Sequence, residues 1–119
     1  MSYIDAFVIP LPKKKIAAYL TMARFGCKLW TEHGALDYKE CIGDDLKAPW
    51  ATPFPKGIRL KAGETVVFSW ILYKSKAHRD KVNAKVMKDP RMDKFMDPKK
   101  MPFDPSRMLY GGFKVMVSS

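Results

Sequence analysis

Three side chains stand where proton transfer could be arranged: Asp5, His33 and Glu40. Asp5 is the single charge in the apolar run "YIDAFVI". It must therefore meet a cation, accept hydrogen bonds or face water at the end of a sheet. A buried aspartate next to Tyr3 and within reach of a helix would mark a pocket. Glu40 alternates in phase with Tyr38, so both point to one side of an extended segment. Two carboxylates facing one cleft can divide acid and base duties. Lys39 offers the structural alternative, a salt-bridge partner. His33 follows Glu32 and precedes Gly34 at a helix end. There an imidazolium can interact with the last carbonyls, or Glu32 or His33 can act as acid or base at a pocket rim. His78 falls in the first turn of a helix and receives no role.

Trp30, Tyr38 and Trp70 are the aromatic residues best placed to line a ligand pocket, with Trp50 and eight methionines as further apolar material. The structural alternative is that they form core or a subunit interface. Cys27 lies on a buried helix stripe and Cys41 has no adjacent histidine, so neither is read as a catalytic thiol. Neither histidine has metal-ligand spacing. The chain contains no phosphate-binding loop, dinucleotide fingerprint, CxxC pair or nucleophile elbow. The sequence thus points to no metal and no cofactor.

The elements that must position these residues follow from periodicity. Residues 3 to 9 form a first strand closed by Pro10 and Pro12. From Lys13 the pattern turns helical, with Ile16, Leu20, Ala23, Cys27 and Trp30 as its apolar stripe and Gly34 as its stop. "ALDYKECI" alternates as an edge or half-exposed strand. Residues 43 to 64 are irregular and proline-rich, which suggests an ordered arm in which "GIRL" adds a short pairing. "TVVFSWILY" is a third strand, with Val66, Phe68, Trp70 and Leu72 on one side and Val67, Ser69, Ile71 and Tyr73 on the other. Ser75 caps a helix running to Asp89. Met92, Phe95 and Met96 suggest a further helical turn, and "RMLYGGFKVMV" is a last strand whose glycine pair implies a bulge or a close neighbour.

This order predicts an α+β fold over residues 1–119 as one domain: a ferredoxin-like βαββαβ arrangement with a four-stranded antiparallel sheet and two helices on one face. Both sides of the third strand are apolar, while the helices can cover only one. A second copy packed sheet to sheet is the economical cover, so a homodimer is expected.

The segments "YIDAFVIPLPKKK", "KLWTEHGALDYKECIGDD", "GETVVFSWILYKSKAHRDKVNAKVMKDPRM" and "MPFDPSRMLYGGFKV" closely resemble the YbaA-like family of small bacterial proteins of unknown function. The likeness spans nearly the whole length and departs in the middle loop. It implies a ferredoxin-like fold of the dimeric α+β barrel group, and it supplies no catalytic residues to carry over. Other dimeric α+β barrels include cofactor-free monooxygenases and haem enzymes. For haem this chain lacks a histidine placed on a helix facing the cavity.

Net charge is +10, and residues 74 to 107 hold eleven basic against five acidic side chains. The first functional expectation is a cytoplasmic homodimer that binds a small organic molecule between sheet and helices and could extend to cofactor-free acid–base or oxygenase chemistry. The alternative is a nucleic-acid or polyanion-binding module using residues 74 to 107. A purely structural or assembly role is the third reading. The longest apolar runs fall far short of the roughly 20 residues that span a bilayer, and no leader precedes the domain, so no membrane association is expected.

Overall fold

The computed structural model describes residues 1–95 and 97–119. Strand β1 (Tyr3–Pro12) leads through a 3₁₀ turn at Lys13–Lys15 into helix α1 (Ile16–Glu32) and strand β2 (Asp37–Ile42). A single turn α2 (Phe54–Gly57) interrupts the next connection. Strand β3 (Glu64–Tyr73), helix α3 (Lys76–Lys88), the short α4 (Met92–Phe95) and strand β4 (Leu109–Lys114) follow. The four strands form one antiparallel sheet in the order β2-β3-β1-β4. Strand–helix–strand units whose strands leave a gap for a third strand give this order, as expected of a split βαβ arrangement.

Several boundaries differ from those expected, each for a physical reason. β1 runs on through Pro10 and Pro12, because the β4 ladder ends at the Val8–Leu109 pair and leaves β1 with a single neighbour beyond it. The stripe on α1 is rotated from Ile16, Leu20, Ala23, Cys27 and Trp30. Tyr19, Ala23, Gly26 and Leu29 are buried, while Leu20 is exposed. Tyr19 and Gly26 were absent from the apolar stripe, yet Gly26 must face the sheet: a Cβ there would come within 2.9 Å of the Tyr38 hydroxyl. "GIRL" adds no strand. Its backbone folds back, with Leu60 N–H donating to Pro55 O and Arg59 at φ 54°, and the β2 ladder instead extends through Gly43 N–H to Val66 O. β4 stops at Lys114 short of the expected Val117. Met96 lies outside the described residues.

The side of the sheet that carries α1 and α3 holds the core. Tyr73, Leu11, Leu29, Val82 and Val86 are essentially fully buried there, each aliphatic one worth about 1.5–3 kcal/mol relative to exposure. Ser75 caps α3 as expected, its hydroxyl accepting from His78 N–H.

The opposite side carries neither α1 nor α3, and among the described helices only the single turn α2 reaches it, at the Val66–Phe68 corner. Reading the register across β4, β1, β3 and β2, its rows are Phe113, Ile4, Leu72, Asp37; then Gly111, Ala6, Trp70, Lys39; then Leu109, Val8, Phe68, Cys41. Phe68, Leu109 and Phe113 are 42%, 55% and 59% exposed. Polar character appears only at the β2 margin, where Lys39 lies over the Trp70 ring and pairs with Asp37.

The glycine pair in β4 reflects a close neighbour and not a bulge in the ladder. A Cβ on Gly112 would overlap the Tyr3 ring. Gly112→Ala is expected to lower stability by about 1–3 kcal/mol through overpacking, read as a lower urea midpoint at unchanged slope. An unchanged midpoint would show that Tyr3 moves aside freely.

Candidate functional site

Asp5 lies on the helix-facing side of the central strand and is 2% exposed. A carboxylate so buried needs a cation and hydrogen bonds. α3 brings both through one residue: Arg79 donates from an Nη to Asp5 at 2.9 Å, and the same nitrogen lies 2.9 Å from the Tyr110 hydroxyl. The guanidinium also stacks on the Tyr3 ring, 5.0 Å from its centroid. Burial is the largest single influence and disfavours the Arg79 charge, but Asp5, Tyr110, Asp80 and Tyr3 together outweigh it and hold the guanidinium pKa above its usual range. Burial, reinforced by the Asp5 charge, raises the Tyr73 and Tyr110 phenols, so both stay protonated. Arg79 Nε is buried without a hydrogen bond. The Asp80 carboxylate lies 2.8 Å away, but off the N–H direction.

Glu40 belongs to a second polar group. Tyr19 from α1 and Tyr38 from β2 each donate to one of its carboxylate oxygens, both at 2.7 Å. Burial, then the Glu40 charge and these hydrogen bonds, pushes both phenols well above their ordinary pKa. Tyr38 reaches this position over the bare backbone of Gly26. Each carboxylate oxygen thus accepts from one phenol, and Lys39 pairs elsewhere, with Asp37.

His33 enters a third group at the far ends of α1 and α3. Its Nε2 lies 2.9 Å from Asp89, whose carboxylate also receives Arg91, and Arg91 spans to Glu32 at 2.7 Å. Hydrogen bonds from Arg91 and then His33 hold the Asp89 carboxyl well below the usual carboxylate range. These contacts fasten two helix ends together.

The residues singled out from the sequence therefore separate. Asp5 and Glu40 share a face of the sheet, but β3 runs between their strands and each has its own partners. Trp30 donates to Asn83 Oδ1 at 3.1 Å, to which the Tyr73 hydroxyl also donates at 3.3 Å, so Trp30 sits beside the Asp5 group. Tyr38 joins Glu40. Trp70 lies on the opposite, helix-free face with Lys39. Arg79, Tyr19 and Asn83 complete the groups and escaped sequence reasoning. Arg79 is one of eleven basic residues between 74 and 107 and sits 74 positions from Asp5; no local pattern sets it apart.

The basic region divides by residue type. Arg79, Arg91 and Arg107 are held by carboxylates, Arg107 in a bidentate pair with Glu64 at 2.6 and 2.9 Å. Planar donors suited to phosphate are thus committed within the fold. Lys76, Lys81, Lys85 and Lys88 remain exposed along α3. Among the described residues, no group of three or more His, Cys, Asp or Glu side chains could hold a metal ion, and no helix is long and apolar enough to cross a membrane. A shallow apolar groove of about 110 Å³ opens at the corner of the helix-free face, between β2, β3 and the α2 loop.

A family model described as a protein of unknown function, DUF1428, matches residues 2–105. The uncharacterized protein YbaA of Escherichia coli K12 is 44% identical over 117 residues, covering 98% of each chain, and the uncharacterized YbaA of Shigella flexneri matches equally. Among solved structures, an uncharacterized NIPSNAP domain protein from Burkholderia xenovorans superposes with a TM-score of 0.56 at 13% identity, over 95% of this chain and 93% of that one. The de novo designed protein Foldit4 gives 0.50 at 8% identity, over 97% and 99%. These structural likenesses concern the fold alone.

The Asp89 group carries an acid dependence of known sign. Because its folded pKa is depressed, its contribution is full above the unfolded value of about 3.9 and is lost as pH falls toward the folded one. Asp89→Asn should therefore be less stable than wild type at pH 6, with the gap narrowing below about pH 4. Urea melts across that range test this; a gap independent of pH would contradict it.

Proposed function

The chain belongs to the DUF1428 family of proteins of unknown function, and from that premise we propose that it acts as a homodimer joined across the helix-free faces of its sheets, each subunit holding a small organic acid between sheet and helices. The observation that carries the ligand assignment is the Asp5–Arg79 pair. Well-packed apolar residues commonly replace a buried ion pair without loss of stability. A fold that keeps one in the middle of its sheet, ringed by Tyr3, Tyr73 and Tyr110, is using it for something besides stability. Arg79 Nε, a buried donor with no aligned acceptor, supplies a hydrogen bond for an incoming carboxylate. Tyr110, half exposed on the edge strand β4, offers the way in.

Dimerisation is supported by the apolar rows of the helix-free face, since a contiguous exposed patch of this kind marks an interaction surface. Two such faces meeting by two-fold symmetry would enclose an eight-stranded, barrel-like interior in a ferredoxin-like dimer. Cys27 and Cys41 are both free thiols, which suits the reducing cytoplasm.

Two measurements test the proposal. Sedimentation of the wild-type chain at micromolar concentration should give a dimer; a well-folded monomer would refute the first part. Titration with a panel of aliphatic and aromatic carboxylic acids should raise the melting temperature of wild type but not of the double variant Asp5→Leu/Arg79→Met. Arg79→Met alone, which strands a buried carboxylate, should lose about 3–5 kcal/mol, and the double variant should recover much of it. If no acid stabilises wild type, or if the shift survives in the double variant, the ligand assignment is wrong.

A further inference from the structure

The groove at the corner of the helix-free face is lined by Cys41, Ile42, Leu46, Phe54, Val66 and Phe68. Leu46 packs over Gly43 and helps bury Val66 to 3% exposure, whereas Ile42 and Phe54 remain about half exposed along its walls. Cys41 and Phe68 also belong to the last row of the open face, so groove and face form one continuous apolar surface. At the diagonally opposite corner, the chain leaves β4 at Lys114. One bond fixes it there, Val115 N–H to Ser2 O at 3.0 Å, after which Met116 and Val117 stand 84% and 87% exposed. The molecule thus has an uncovered apolar groove at one corner and an uncovered apolar tail at the other.

The tail cannot fill the groove of its own subunit. β4 and β2 are opposite edges of the sheet, separated by three strand spacings, or about 14 Å. Along the strands, the Tyr3–Lys114 row and the Val8–Phe68–Cys41 row lie five residues apart on β1, or about 17 Å. The diagonal is about 22 Å, whereas residues 116–119 span at most about 14 Å.

Symmetry removes the difficulty. A two-fold axis lying between two facing sheets and parallel to the other diagonal exchanges these corners, and the strands of the two sheets then cross near a right angle, one of the two common ways sheets pack. Both tails meet both grooves in one closed arrangement. We propose, resting on the dimer reading above, that Met116–Ser119 of one copy occupies the Cys41–Leu46–Phe54–Phe68 groove of the second copy, so that each groove is complete only in the dimer.

The native thiol of Cys41 in the groove provides the test. In a full-length Cys27→Ser/Val117→Cys variant, mild oxidation should give a covalent dimer on a non-reducing gel, with a disulfide mapped by mass spectrometry between positions 41 and 117 of different chains. Adding Cys41→Ser should abolish that linkage. Deleting residues 116–119 should weaken dimerisation at least tenfold by sedimentation while leaving the subunit folded. A full-length chain that dimerises, yet gives no 41–117 linkage and tolerates the deletion without loss of affinity, overturns this inference alone. A full-length chain that stays monomeric overturns it together with the dimer reading.

Discussion

Alternation along β3 sends Thr65, Val67, Ser69, Ile71 and Tyr73 toward the helices and Phe68, Trp70 and Leu72 away from them. Because a strand's side chains alternate strictly, this assignment cannot be relaxed at one position without reversing its neighbours. The rest of the molecule is built around it. α1 and α3 occupy one side, so every polar group that must be buried is built there, and the other side is left greasy. Asp5 belongs to the first side because it shares the phase of Tyr3, Phe7 and Ile9. For the same reason, the cation that answers it comes from α3 and not from solvent.

The three polar groups divide the labour between holding and acting. The His33–Asp89–Arg91–Glu32 group is peripheral, joins helix ends, and leaves no donor buried without a partner. The Tyr19–Glu40–Tyr38 group is compact and its carboxylate oxygens are occupied, which suits a polar rivet between α1 and the edge strand. Only the Asp5–Arg79–Tyr110 group combines deep burial, opposite charges and an unaligned donor. Those features cost stability wherever they serve no purpose.

Much of the fold was legible in the sequence because it rests on period and punctuation. Strands alternate, Ser75 caps α3, and the strand–helix order leaves few topologies. What stayed hidden was whatever depends on a distant partner. The face of α1 was misjudged because two residues that mattered, Tyr19 and Gly26, are chosen by partners across the interface, Tyr19 by the Glu40 carboxylate and Gly26 by the Tyr38 hydroxyl that a side chain there would meet. Asp5 could be singled out as anomalous, but Arg79 could not be told from its basic neighbours. Trp70 illustrates the converse: its aromatic character was plain, while its side of the sheet separated it from the residues with which it had been grouped.

Pro10 and Pro12 fall on the stretch of β1 that has outlived its β4 neighbour. Pro10 is buried there and the segment leading into β4 packs against β1, so an imino acid leaves no amide hydrogen stranded where the ladder has ended. These two rings therefore let β1 overhang its shorter companion without a donor that has lost its acceptor.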